Sequence, residues 1–118
     1  MDQFEIQSTE GPSGVRILKV LGPLTLTNVF VFQNTARNIT DRAIIVDLSG
    51  VPFIDSVGLG SLLGVFASCQ RTQRGFALAG AAARVRTLLQ VAKADHILLV
   101  ADTAESAEAQ LNAKAQQA

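Results

Sequence analysis

The chain has 118 residues, 48% of them hydrophobic, which fits one domain around a single buried core and excludes a disordered chain. Ten basic and ten acidic residues cancel, so no excess charge points to nucleic acid or to an anionic membrane surface. One cysteine, Cys69, excludes an internal disulfide and fits a reducing compartment.

From the N-terminus, MDQFEIQSTE lacks the charged-then-apolar pattern of a secretion signal, and no apolar run reaches the ~20 residues that span a bilayer. The expectation is a cytoplasmic protein without membrane insertion. The sequon spelled by Asn38-Ile39-Thr40 is then read as chance.

Phe4–Gln7 and Val15–Leu21 read as two strands, joined by the turn-rich Glu10-Gly11-Pro12-Ser13-Gly14. Val29, Phe32, Ala36 and Ile39 recur at a helical period over Asn28–Ile39, with Thr27 or Asn28 as N-cap. Phe30 and Val31 fall outside that stripe and predict an exposed patch. Ala43–Leu48 (AIIVDL) is a continuous apolar run, as in a strand covered on both faces.

Leu59, Leu62, Leu63, Phe66 and Cys69 then mark a second helix reaching about Arg74, followed by a strand at Phe76–Ala79. Val85, Leu88, Leu89 and Ala92 define a third helix, and Ile97–Val100 a last strand. Asp102 with Glu105 resembles a capping box opening a fourth helix. Alternation of strands and helices predicts an α/β fold: a single domain, 1–118, with a mixed sheet, an initial hairpin and about four helices. The core is expected over about 4–111, with a frayed tail at 112–118.

Between the third strand and second helix lies FIDSVGLGSLLG, residues 53–64. Gly58, Gly60 and Gly64 give G-x-G-x-x-x-G, one residue longer than the dinucleotide fingerprint, and no Gly-Lys-Ser/Thr follows. A nucleotide-handling enzyme therefore has only this glycine spacing in its favour. Neither Ser56 nor Ser61 sits in a G-x-S-x-G elbow, and the lone histidine, His96, gives no triad. One His and one Cys are too few for a metal site, so His96 reads as a surface residue and Cys69 as core. No cofactor, metal or catalytic residue is expected.

Asp55 and Ser56 are both favoured N-caps, and a cap is the simplest reading of either. Their place suggests more, because a loop leaving a central strand for a helix opens at the sheet's carboxyl edge, where α/β folds meet ligands and partners. A phosphoryl group on Ser56 would bring ~1.5–2 negative charges there. The helix dipole would tolerate them, Asp55 would repel them, and an acidic or apolar partner would be displaced.

The run Asp47-Leu48-Ser49-Gly50-Val51-Pro52-Phe53-Ile54-Asp55-Ser56-Val57-Gly58-Leu59-Gly60 resembles the signature of STAS domains, particularly the bacterial anti-sigma factor antagonists. Element order and length agree over essentially the whole chain, and the later V-R-T-L-L-Q-V-A-K-A-D is similar as well. The resemblance implies a non-enzymatic regulator that binds an anti-sigma factor and so frees a sigma factor for transcription. It also implies that Ser56 is phosphorylated by that anti-sigma factor, itself an ATP-dependent kinase, and restored by a separate phosphatase. A monomer or weak dimer is expected. Thr25, Asp55, Ser56, Val57, Gly58, Gly60 and Ser61 are the expected partner contacts, with Gly58 and Gly60 allowing close approach.

Three features depart from the family pattern. Gly22-Pro23-Leu24-Thr25 lacks the acids of the usual G-E-L-D, which alters a surface beside the docking site. Val57 replaces a common second serine and removes a rival phosphosite. Lys93 stands where a glycine often ends a helix, at a cost of about 1 kcal/mol if the backbone there keeps a positive φ. The missing acids favour an alternative: a constitutive STAS scaffold subunit of a transporter or signalling complex, with Ser56 only a cap.

Overall fold

The computed structural model describes residues 4–116. Its elements run β1 (Glu5–Glu10), β2 (Arg16–Leu21), α1 (Val29–Arg37), β3 (Ala43–Gly50), α2 (Ser56–Arg71), β4 (Gly75–Ala79), α3 (Ala83–Val91), β5 (Leu99–Ala101) and α4 (Ala104–Gln116). The five strands lie in one sheet in chain order. β1 pairs antiparallel with β2, and every later neighbour pair is parallel. This is the expected α/β domain with its initial hairpin.

Alternation along the strands divides the core into two layers. Ile44, Val46 and Leu48 of β3 and Phe76 and Leu78 of β4 share one cluster with Phe32 of α1, Leu62 of α2 and Leu89 of α3. The intervening residues, Ala43 and Ile45 of β3 and Ala77 and Ala79 of β4, meet Ala107 and Leu111 of α4 in the other. Small alanines on that face let a single helix lie close to the sheet. β3 is thus covered on both sides, as its unbroken apolar run predicts.

Several boundaries differ from the sequence reading. Ile97–Val100 is not a strand as a whole: a 3-10 turn at Ala94–His96 precedes β5, and Ile97 is exposed. Asp102 does not cap α4. Thr103 does, its Oγ1 accepting the Ser106 N–H at 3.0 Å, while Asp102 pairs with Arg86 at 2.7 Å. α4 runs to Gln116, and Asn112 accepts a hydrogen bond from Arg42. Residues 117–118 of the expected tail lie outside the described residues. Lys93 adopts φ 59°, the left-handed conformation that follows a helix end.

Candidate functional site

Two loops meet at the carboxyl edge of the sheet, one between β2 and α1, the other between β3 and α2. Leu24 and Ile54 form an isolated parallel bridge between them. The Leu24 N–H donates to the Phe53 carbonyl at 3.2 Å, and the Asp55 N–H donates to the Leu24 carbonyl at 3.3 Å. The first loop is braced from within by Asn28. Its Oδ1 accepts the Thr25 N–H at 2.9 Å and its Nδ2 donates to the Pro23 carbonyl. Asn28 therefore occupies the N-cap position of α1 without a side-chain capping bond.

Asp55 ties this frame to α2. One carboxylate oxygen accepts the Gly58 N–H at 2.8 Å, capping the helix, and the other accepts the Leu26 N–H at 3.0 Å, holding the opposite loop. Both bonds favour the ionised form, the one from Gly58 most, and hold the Asp55 carboxyl below its ordinary pKa of 3.8.

With Asp55 as the cap, Ser56 is the first residue of α2, exposed, and its hydroxyl makes no hydrogen bond among the described residues. The simplest reading of that serine, as a cap, is therefore corrected: the capping is done by its neighbour. Val57 is exposed beside it, Gly60 faces open space and Thr25 is half-buried.

Two expected contact residues turn inward instead. Gly58 packs on the chain's own backbone, so close that a Cβ there would stand 2.1 Å from the Leu24 carbonyl oxygen. Its lack of a side chain lets the two loops meet and offers no partner access. Ser61 is 3% exposed, and its Oγ donates to the Gly58 carbonyl at 2.6 Å. Leu59 is buried in the core, as expected, as is Cys69, while His96 is exposed.

The two loops and the helix starts that follow them leave several large apolar side chains exposed. Leu26 is 62% exposed and Phe30 65%, with Val31, Phe53 and Val57 also open to solvent. Arg84 of α3 lies over the Phe53 ring, 5.2 Å from its centroid, and a shallow groove of about 290 Å³ runs from Phe53 to Val91. Phe30 and Val31 are foreshadowed by their place off the helical stripe. Leu26 and Phe53 are not, although the isolated Leu26 between Thr25 and Thr27, outside any periodic segment, is a signal for the first.

The arrangement presents one unengaged hydroxyl on a capped helix start, with the exposed Val57 next to it in the chain and Leu26 on the loop that Asp55 holds. Among the described residues no cluster of three or more His, Cys, Asp or Glu is placed to hold a metal ion. None of the described helices is long and apolar enough to cross a membrane.

The STAS domain profile matches residues 7–107, and the chain belongs to the STAS domain family. An anti-sigma factor antagonist from Mycobacterium paratuberculosis superposes with a TM-score of 0.86 at 18% identity, over 93% of this chain and 95% of that one. The Bacillus cell fate determinant SpoIIAA, in its phosphorylated form, gives 0.70 at 17% identity, over 90% and 98%. The murine anion transporter Slc26a9 gives 0.74 at 18% identity, with 96% of this chain matching only 22% of that one. At these identities the likenesses establish the shared fold.

Proposed function

We propose that this chain is an anti-sigma factor antagonist: a cytoplasmic regulator, not an enzyme, that binds an anti-sigma factor with serine-kinase activity. Phosphorylation of Ser56 releases that partner and so controls a sigma factor, and a phosphatase reverses the modification. The single observation that carries this reading is the exposed, unbonded Ser56 hydroxyl on a helix start already capped by Asp55. A kinase can reach it without unfolding any part of the described structure. The added charge would sit next to Asp55 and Val57, on a face with the exposed Leu26, where a partner's apolar surface would be driven off. The fold neighbour SpoIIAA exists in a phosphorylated form, which agrees with such a switch.

Thr25, Asp55, Val57 and Gly60 join Ser56 in the proposed docking face, whereas Gly58 and Ser61 support it from beneath. The chain supplies no chemistry of its own in this scheme and acts as a monomer or weak dimer.

A second reading, a constitutive scaffold subunit, has the Slc26a9 likeness and the Pro23 and Thr25 departures in its favour. Pro23 is buried and Thr25 is tied to Asn28, so this loop serves as a strap and offers no acidic contact. Ser56→Asp separates the two readings in binding measurements against the anti-sigma kinases of the host. The switch predicts affinity lowered about tenfold or more, since an uncompensated charge buried at an interface costs several kcal/mol. Unchanged affinity would favour the scaffold.

A further inference from the structure

At the opposite end of the sheet from Ser56, Phe66 of α2, the turn after that helix, the starts of β3 and β4 and the last turns of α4 enclose an open cleft of about 470 Å³. Phe66, Phe76 and Leu111 line it with apolar surface, the two rings tilted against each other with centroids 6.2 Å apart. Arg42, Arg74 and Lys114 also line it, and among the described residues no carboxylate does. The nearby Asp41 carboxylate turns to Arg16, at 3.4 Å.

The two arginines are held in place by bonds that leave donors over. Arg42 Nε donates to the Ser13 carbonyl at 2.8 Å, and its Nη2 is shared between the Ser13 hydroxyl and Asn112. Arg74 Nε donates to Thr72 at 2.8 Å and its Nη1 to the Ile39 carbonyl at 2.8 Å. Among the described residues, Arg42 Nη1, Arg74 Nη2 and Lys114 Nζ have no hydrogen-bond partner. Three cations, each with a donor free among the described residues, thus border a partly apolar cleft whose volume lies in the usual range for small-molecule sites, roughly 300–1,000 Å³. Fixed guanidiniums beside apolar walls suit a ligand with an anionic head and a hydrocarbon body.

We propose that this cleft binds a small amphipathic carboxylate, its head among Arg42, Arg74 and Lys114 and its chain against Phe66, Phe76 and Leu111. The proposal does not depend on the reading of Ser56.

The test is an amide NMR titration of the whole chain with monomeric decanoate, with decanol as the neutral control. Saturable shifts confined to residues around the cleft are expected, with decanol far weaker. Lys114→Glu should weaken decanoate about tenfold, the scale of one lost hydrogen bond to a charged group, while Lys114→Arg keeps it. Ala115→Glu, at an exposed helical position on the rim, should act like Lys114→Glu and guards against a local effect of either change. The absence of saturable shifts would overturn the proposal, as would equal binding of decanol or indifference to both glutamates. Association with phosphatidylglycerol vesicles, without a response to monomeric decanoate, would also overturn it by assigning the cations to a lipid surface.

Discussion

The carboxylate of Asp55 accepts the backbone N–H of Leu26 at 3.0 Å, across the gap between two loops that are 29 positions apart in the chain. Its other oxygen caps α2 through Gly58. One side chain therefore fixes both the direction of α2 and the loop that carries the exposed Leu26, and it leaves Ser56 without a structural task.

Replacing Asp55 by Asn keeps the shape and removes the charge, which makes a pH-dependent prediction. The folded-state pKa is depressed below 3.8, so the contribution of the carboxylate is fully present above that value and is lost as pH falls through the lower folded value. Asp55→Asn should melt below the wild type near neutral pH, with the gap closing as the medium is acidified below about pH 4. Thermal melts of both proteins across that range check this; a gap independent of pH would show that the charge is immaterial.

Gly58→Ala tests the junction of the loops. A methyl group 2.1 Å from the Leu24 oxygen must displace a backbone that also accepts the Asp55 N–H. The expected loss is about 2–3 kcal/mol, at the upper end of overpacking effects, measured by denaturant unfolding. Gly60→Ala, which meets nothing within 4 Å, should not destabilise and serves as the control.

Ser56→Ala should change stability by less than about 0.5 kcal/mol, as for surface sites without a special bond. A loss near ~1 kcal/mol would return Ser56 to the role of a cap.

Lys93→Gly should stabilise the fold by up to about 1 kcal/mol, because glycine adopts the φ of 59° without the penalty of a Cβ. The same unfolding experiment reads it.

Leu26→Ser and Phe30→Ser, at exposed positions, should leave stability within about 0.5 kcal/mol of wild type. If these exposed side chains belong to the docking face, either change weakens partner binding by about tenfold or more, as loss of an interface anchor does. Titration calorimetry with the partner measures both.

Much of the fold was legible because its signals are local and periodic. The apolar run of β3 and the helical stripes of α1 and α2 follow from the solvent each face meets. Loop-borne features were less so. Asp102 and Thr103 are both good caps one residue apart, and only the pairing of Asp102 with Arg86, 16 positions away, decides between them. Ile97 reads as strand from its branched side chain, yet the preceding 3-10 turn turns it outward. Within α2 the small residues Gly58, Gly60 and Ser61 look alike in sequence. Gly58 is covered by Leu24, brought there by a different loop, and that contact has no local signature.

The most direct test of the switch is intact mass with peptide mapping, after the protein is incubated with ATP in a host lysate shown to contain active anti-sigma kinases, beside a Ser56→Ala control. The account predicts one added phosphoryl group, mapped to Ser56 and absent from the control. An unmodified protein, or a phosphoryl group on another residue that persists in the control, would contradict it.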